Sequence, residues 1–194
     1  MSLSSDIRKK LQEKEIWFAR HGESEHNIKI DGMRQIMGAY GSPDLTEQGR
    51  AQARKVGQEI QALQPQLMVH SPLKRVRSTI KEILSQLDYK PRVVSFATLH
   101  EINCGDTEGT IVPGPLQMLK DMPGAETPAH LESRAVQALE YIARQPEKKV
   151  VIVAHSRIGR MLFFISQNTK EDVNEFDAQH EPFDHDSLLH LDFK

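Results

Sequence analysis

Two histidines in this sequence each follow an apolar run that has the pattern of a buried β-strand. Arg20 and His21 come directly after residues 16–19, and His155 follows the apolar run at residues 150–154. In an open α/β sheet the carboxyl ends of the strands face the crevice in which ligands bind. A guanidinium and two imidazoles at such ends would suit an anionic substrate and a nitrogen nucleophile. We therefore predict that His21 and His155 meet over one cationic pocket.

A second arginine stands where a short apolar run passes into a helix. After the strand-like residues 67–70, Ser71 can cap a helix and Pro72 suits the first helical position, which places Arg75 in the first turn. A helix N-terminus already carries partial positive charge, so a guanidinium there slightly opposes helix stability. The binding of an anion explains the arginine better. Arg75 is therefore a second candidate for holding an anionic group.

Strand and helix patterns alternate along the chain. Apolar residues spaced by three and four positions predict four helices: one from near Thr46, one carrying Arg75, one beginning at Thr127 and Pro128, and one behind His155. Further strands are predicted at residues 93–94 and 188–191, the latter a candidate for a sheet edge. This order predicts an α/β fold, a three-layer sandwich whose mainly parallel mixed sheet has helices on both faces. Segments 33–43 and 105–124 contain Gly and Pro and are predicted to be loops that form walls or lids of the crevice.

Length, charge and cysteine content limit the classes of protein. The 194 residues favour one domain over 1–194, with residues 1–15 as a helical leader into the first strand. A formal net charge of −2 argues against a nucleic-acid or anionic membrane surface. The single cysteine, Cys104, excludes an intrachain disulfide and fits a reducing compartment. With no apolar stretch near the ~20 residues of a membrane span, we expect a cytoplasmic protein with no nucleic-acid or membrane partner, while its oligomeric state is not indicated.

Four motifs, in this order along the chain, resemble those of the histidine phosphatase superfamily, which has the phosphoglycerate mutase-like fold. They are residues 18–24, residues 71–75, residues 99–101 followed by Gly105 and 108–109, and residues 153–155. Asn27, residues 44–46, Gly49 and residues 123–126 also match landmarks of the family in the family's order. The resemblance extends from about Ile16 to the C-terminal strand.

This resemblance implies a role for each motif residue. His21 would be the nucleophile that becomes phosphorylated, and Glu101 would protonate the leaving oxygen. The phosphoryl oxygens would be bound by Arg20, Arg75 and His155, with Asn27 and Ser156 as further candidates for substrate contact. No cofactor and no metal are implied, because the remaining histidines lack the spacing of a metal site.

Several of these residues have simpler interpretations. Arg20 and Arg75 could be surface charges, and Glu101 could be an ordinary loop carboxylate. Glu108 could serve as a second acid, although a structural or capping role next to Gly109 is favoured. The other histidines are interpreted as surface or core residues: His26, His70, His100, His130, His180, His185 and His190.

The resemblance favours a metal-independent phosphatase acting on a small phosphorylated metabolite or a phosphoprotein. A cofactor-dependent phosphoglycerate mutase is the main alternative, but the family's mutases carry a long insertion where this chain has only 54 positions between Glu101 and His155. A binding module that has lost turnover is a third alternative.

The chain departs from the family pattern after His155. Many members of the superfamily have two glycines directly after the equivalent histidine. Here Ser156 and Arg157 stand there and could narrow the site or add substrate contacts.

Overall fold

The computed structural model describes residues 3–29, 31–41, 43–112, 118–168, 171–177 and 183–194. Its strands are β1 (Glu15–Arg20), β2 (Arg34–Gln35), β3 (Leu67–His70), β4 (Arg92–Ser95), β5 (Ile111–Val112), β6 (Lys149–Ala154) and β7 (Leu188–His190). Its α-helices are α1 (Ser5–Gln12), α2 (Glu47–Leu63), α3 (Lys74–Leu84), α4 (Pro128–Ala143) and α5 (Ser156–Ser166). Short 3₁₀ turns lie at Glu25–Asn27, Ala97–Leu99, Gly105–Thr107, Leu119–Asp121 and Val173–Glu175.

Five strands form the main sheet in the order β4-β3-β6-β1-β7. The first four run parallel, and β7 pairs antiparallel with β1 at one edge. The predicted α/β class with a mainly parallel mixed sheet is therefore confirmed, and so is the position of the last strand at an edge.

The central strand β6 is buried on both faces. Val150, Ile152 and Ala154 pack in one apolar cluster with residues of α1, α4 and α5, whereas Val151 and Val153 pack in a second cluster with residues of α2 and α3. All five are 0 % exposed. Burial of a Val, Leu or Ile side chain contributes about 1.5–3 kcal/mol, so this alternation holds helices against both faces of the sheet.

The helices α2 and α4 begin at the residues that the sequence predicts. The hydroxyl of Thr46 accepts a hydrogen bond from Gly49 N at 2.9 Å, and that of Thr127 accepts one from His130 N at 3.2 Å. Each threonine satisfies a backbone N–H that has no partner within its helix. Pro128 occupies the first turn of α4, where its missing N–H costs nothing.

The predicted start of α3 is wrong by two residues. The helix begins at Lys74, and Leu73 precedes it without any side-chain cap. Ser71 is not the cap and Pro72 is not the first helical residue, because the Ser71 hydroxyl lies 2.8 Å from the Nε2 atom of His155 instead. Arg75 still falls in the first turn.

The two segments predicted as loops, 33–43 and 105–124, pair with each other. β2 and β5 form a two-stranded antiparallel sheet in which Arg34 pairs with Val112 and Gln35 with Ile111. Residues 42 and 113–117 of these segments lie outside the described residues. The pairing joins the segment that follows β1 to the segment that follows Glu101.

The expected N-terminal leader forms α1, whose Ile7 and Leu11 are buried in the same cluster as α4 and α5. Among the described residues, no helix has the length and apolar character needed to cross a membrane.

The cap of α4 gives a test of this local structure. We expect Thr127→Ala to lower the free energy of unfolding by about 1 kcal/mol, because the N–H of His130 loses its acceptor. Urea denaturation measures the change. Thr127→Ser keeps the hydroxyl and serves as the matched control, so equal losses in the two variants would contradict the capping role.

Candidate active site

The ladder of the main sheet places the two sequence-predicted histidines side by side. Arg20 pairs with Ala154 in the β1–β6 register, and His21 N then donates to Ala154 O at 2.9 Å. On the other side of β6, Ser71 N donates to Val153 O at 3.1 Å. The His21 and His155 rings lie 5.1 Å apart between centroids, in a tilted, edge-on arrangement. The structure therefore brings the two imidazoles to one rim of the sheet.

The tautomer of His21 follows from its hydrogen bond. The ring is 2 % exposed, and its Nδ1 atom lies 2.8 Å from the carbonyl oxygen of Gly22. A carbonyl can only accept, so Nδ1 carries the proton and Nε2 keeps a free lone pair. Burial, then the charges of His155 and Arg20, hold the pKa of His21 well below its ordinary value. His21 is thus a neutral imidazole with its basic nitrogen available.

Gly22 allows this backbone to approach helix α2 closely. A Cβ at position 22 would lie 2.2 Å from the carbonyl oxygen of Gly49 in the first turn of α2. No side chain fits there, which explains why a glycine follows the histidine.

Arg20 is a half-buried cation whose buried Nε atom is an unused donor. Its Nη1 donates to the carbonyl of Phe183 at 3.0 Å, while its Nε has no partner among the described residues. Burial lowers the pKa of Arg20 to about 10, and the nearby Glu101 charge opposes that effect. A desolvated guanidinium with a free N–H favours the binding of an anion.

Arg75 and His155 are linked directly. The Arg75 side chain is 1 % exposed, and its Nε donates to His155 Nδ1 at 3.3 Å. His155 therefore carries its proton on Nε2 and donates it to the Ser71 hydroxyl at 2.8 Å. Burial, followed by the charges of Arg75 and Arg20, keeps the pKa of His155 well below its ordinary value. Both nitrogens of His155 are thus engaged by the protein in this structure.

Ser71 is a site residue that the sequence analysis assigned to a helix cap. Its Oγ accepts from His155 Nε2 at 2.8 Å and from Leu73 N at 3.4 Å, which leaves its own O–H to donate. A serine directly after a buried strand and beside a candidate phosphate ligand was the available signal. Ser71 can present a hydroxyl donor to an oxyanion.

The side chain of Glu101 lies against the first turn of α5. The carboxylate is 8 % exposed, and its oxygens accept from Ile102 N at 3.0 Å and from Arg157 N at 3.4 Å. Its charge opposes the lowering of the pKa by burial for both Arg20 and Arg75. The sequence-predicted acid therefore lies close to the two arginines rather than in a solvated loop.

The two further candidates for substrate contact have different surroundings. Asn27 Oδ1 accepts from Ser24 N at 3.0 Å and from Ser24 Oγ at 2.8 Å, so it holds the turn after β1. Ser156 is half-buried as the first residue of α5, next to His155. The Arg157 side chain, which the sequence suggested for substrate contact, forms a buried ion pair with Asp177.

Two histidines beside His21 were interpreted as surface or core residues from the sequence. The His185 and His26 rings lie 5.5 Å and 6.2 Å from the His21 ring between centroids. His185 Nδ1 lies 2.6 Å from the carbonyl oxygen of His21 and donates to it. Burial, reinforced by the arginine charges, lowers the pKa of His26 to about 3 and that of His185 to about 4. His185 lies just before β7, and the antiparallel pairing of β7 with β1 brings it next to His21. The sequence predicted an edge strand here but not its pairing with β1.

A neutral imidazole with a free nitrogen, one buried and one half-buried guanidinium group and an adjacent carboxylate form one cluster. The family model of the histidine phosphatase superfamily, branch 1, matches residues 16–181. The chain belongs to this superfamily. The resemblance predicted from the four sequence motifs is therefore confirmed.

Curated relatives of this histidine phosphatase include both phosphatases and mutases. An uncharacterized phosphatase, PhoE of Bacillus subtilis, is 31 % identical over 143 residues, which cover 72 % of this chain and 70 % of PhoE. A 2,3-bisphosphoglycerate-dependent phosphoglycerate mutase of Brucella anthropi is 34 % identical over 93 residues, 46 % of this chain and 43 % of the mutase. The match to the mutase therefore spans less than half of either protein.

Solved structures share the fold of this histidine phosphatase. A mycobacterial glucosyl-3-phosphoglycerate phosphatase superposes with a TM-score of 0.72 at 21 % identity, over 90 % of this chain and 88 % of that chain. The α-ribazole phosphatase of Shigella flexneri gives a TM-score of 0.68 at 19 % identity, over 90 % and 88 %. These likenesses confirm the phosphoglycerate mutase-like fold.

The buried neutral histidines predict a pH-dependent stability. Their pKa values are lowered on folding, so the unfolded chain binds more protons below about pH 6.5 and the free energy of unfolding falls as the pH falls. Between pH 7 and pH 5 each such histidine accounts for up to about 2 kcal/mol of that loss. We expect His26→Gln to reduce the loss by about this amount, as measured by urea denaturation at both pH values.

Between pH 7.5 and pH 8.5 the free energy of unfolding should change with pH to the same extent in wild type and in His26→Gln, because unfolded-chain histidines no longer titrate there. An equal loss of stability between pH 7 and pH 5 in wild type and His26→Gln would contradict a neutral buried His26.

Proposed function

We propose that the protein is a metal-independent phosphatase that hydrolyses phosphate monoesters through a phosphohistidine on His21. One observation carries this proposal: the Gly22 carbonyl holds the Nδ1 proton of His21, which leaves Nε2 as a buried nucleophile beside the unused Nε donor of Arg20. A binding module would need the arginines but would not need a nucleophile and an acid.

The first step transfers the phosphoryl group to the protein. His21 Nε2 attacks phosphorus and the P–O bond to the alcohol breaks. Glu101 acts as the general acid and gives a proton to the leaving oxygen. Arg20 and Arg75 neutralise the charge on the phosphoryl oxygens, since positioning and electrostatic stabilisation dominate phosphoryl transfer.

The second step returns the protein to its starting state. The Glu101 carboxylate takes a proton from water, the oxygen of that water attacks phosphorus, and the P–N bond to His21 Nε2 breaks. Inorganic phosphate leaves and Glu101 is again protonated for the next ester. His155 keeps Arg75 in place throughout, and Ser71, which accepts from His155 Nε2, supplies a further donor to the phosphoryl oxygens through its own O–H.

A groove next to this site supports a phosphatase over a mutase. It has a volume of about 490 Å³ and is lined by residues that adjoin the site, including Pro72 after Ser71 and His100 before Glu101. Among its lining residues that the structure describes, none is Lys or Arg, and the carboxylate of Glu126 is paired with Arg134 at 2.6 Å and 2.8 Å. Such a groove favours an uncharged leaving group and disfavours the carboxylate of a phosphoglycerate.

We therefore propose a small phosphorylated metabolite whose alcohol is uncharged and partly apolar as the substrate. The name of the Shigella flexneri α-ribazole phosphatase is compatible with this class, whereas the mycobacterial phosphatase is named for glucosyl-3-phosphoglycerate, an ester whose alcohol carries a carboxylate. We also propose that the protein acts in the cytoplasm, consistent with its single free and buried Cys104.

Removal of the nucleophile tests the reaction. We expect His21→Ala to lower kcat/KM for p-nitrophenyl phosphate by about 10³-fold or more, because no phosphohistidine can form. Activity is measured in the presence of a chelator, and the acid-labile phosphohistidine is detected by mass spectrometry after rapid mixing. His190→Ala, an exposed histidine on β7, is the matched control. Turnover that survives in His21→Ala would reject the mechanism.

The groove predicts substrate preference. We expect 1-naphthyl phosphate to exceed 3-phosphoglycerate in kcat/KM by about 10-fold or more, and Tyr40→Ala to remove most of this advantage, because the exposed ring of Tyr40 lines the groove. Tyr40→Phe keeps the ring and should behave like wild type. With 2,3-bisphosphoglycerate present, 3-phosphoglycerate should yield inorganic phosphate and no 2-phosphoglycerate. Isomerisation would establish the mutase instead.

A further inference from the structure

Glu108 joins two backbone segments next to the candidate phosphate site. Its Oε1 accepts from Gly38 N at 2.7 Å, and its Oε2 accepts from Cys104 N at 3.3 Å. Gly38 belongs to the segment after β1, and Cys104 to the segment after Glu101. One carboxylate therefore fixes the distance between these segments through two charge-assisted hydrogen bonds.

Gly38 in turn contacts the phosphate-site arginine. Its carbonyl oxygen accepts from Arg75 Nη2 at 3.0 Å, and the carbonyl of Gly41 accepts from Arg75 Nη1 at 3.5 Å. Glu108 binds the N–H of Gly38, while Arg75 binds the C=O of the same residue. A continuous chain of contacts thus runs from Glu108 through one residue of backbone to the guanidinium.

These contacts determine which donors of Arg75 are available. A guanidinium has five N–H groups, and three of them point at described protein atoms, namely His155 Nδ1 and the carbonyls of Gly38 and Gly41. The planar group can then turn only by breaking one of these bonds. One N–H on each terminal nitrogen has none of these acceptors and is available to a phosphate oxygen.

The packing around Gly38 leaves no room for a side chain at this position. A Cβ at position 38 would lie 2.1 Å from the carbonyl oxygen of Ile102 and 2.8 Å from both Cys104 Sγ and Glu108 Oε2. Ile102 follows the proposed acid, Glu101. The same glycine therefore lies against the acid's segment on one side and binds Arg75 on the other.

The charge of Glu108 also acts on Arg75. Burial lowers the pKa of the Arg75 guanidinium, and the carboxylates of Glu101 and Glu108 oppose this lowering. Glu108 thus favours the cationic form of a side chain that is almost completely removed from water.

We propose that Glu108 is a positioning residue for phosphate binding, holding Gly38 so that the Gly38 carbonyl orients Arg75 towards the phosphoryl oxygens. The proposal rests on the proposed function only in taking Arg75 as a phosphate ligand. Glu108 itself touches neither the phosphate nor the leaving group, which distinguishes this role from that of a second acid.

Binding of inorganic phosphate, measured by calorimetry, tests the proposal without any turnover. We expect Glu108→Ala to weaken phosphate binding by about 10-fold or more, the size expected for loss of a hydrogen bond to a charged group. Glu108→Gln should recover most of the affinity, because its amide oxygen still accepts from Gly38 N. Glu59→Ala, an exposed glutamate on α2, is the matched control and should bind phosphate like wild type.

A double-mutant cycle shows whether Glu108 acts through Arg75. With Arg75→Ala as the background, Glu108→Ala should cause little further loss of phosphate affinity, since the group it positions is absent. Equal losses in both backgrounds would overturn the proposal, as would unchanged phosphate affinity in Glu108→Ala. If Glu108→Ala does not fold, Glu108→Asp carries the cycle, because its shorter side chain cannot reach both Gly38 N and Cys104 N.

The pH profile of p-nitrophenyl phosphate hydrolysis separates positioning from acid catalysis. A positioning role predicts that Glu108→Gln keeps the wild-type profile and most of kcat. Loss of kcat in Glu108→Gln to the level of Glu108→Ala, with a missing limb in the profile, would overturn the proposal in favour of a proton donor. If wild type binds phosphate but does not hydrolyse the ester, the proposed function is rejected. The double-mutant cycle of Glu108 and Arg75 still tests the positioning role, because it measures phosphate binding alone.

Discussion

The parallel hydrogen-bond ladder of β3, β6 and β1 is the constraint on which the site depends. It fixes the level at which each strand ends, so that His21, Ser71 and His155 emerge at one rim although they are far apart in the sequence. Side chains alternate along a strand, so a slip of one residue would turn His21 to the other face of the sheet. The two apolar clusters prevent such a slip, because they need alternate residues of β6 on opposite faces.

The site concentrates positive charge and removes it from water. Arg20 and Arg75 have no carboxylate bound directly to them among the described hydrogen bonds and ion pairs; carbonyl oxygens and the His155 ring accept from them instead. Desolvated cations without a counterion are costly. The surrounding histidines respond by staying neutral, and in the proposed reaction a dianionic phosphate supplies the missing charge. The unbalanced positive charge is therefore present in the folded state before any substrate arrives.

Local sequence patterns were sufficient for the strands of the main sheet, for the helices that cover it and for the ends of those strands. The alternating apolar runs predicted the sheet, and Thr46 and Thr127 marked the starts of α2 and α4, because caps act over three residues. Ser71 shows the limit of that reasoning. The same serine pattern can cap a helix or bind a side chain from another strand, and only the tertiary structure decides between them.

Contacts between distant segments were not predictable from spacing. Three contacts join parts of the chain whose sequences give no indication that they pair. They are the pairing of β2 with β5, the hydrogen bond of His185 to His21 and the ion pair of Arg157 with Asp177. Arg157 illustrates the consequence. Its position after His155 suggested substrate recognition, whereas in the fold its side chain meets an aspartate from a segment that the sequence left unassigned.

The place of β1 in the sheet has a consequence for synthesis of the protein. Both strands that flank β1 come late in the chain, β6 at Lys149–Ala154 and β7 at Leu188–His190. A growing chain on the ribosome therefore exposes the segment with His21 long before either neighbour has been translated. Its imidazole is joined by His155 only after residues 149–155 have been translated.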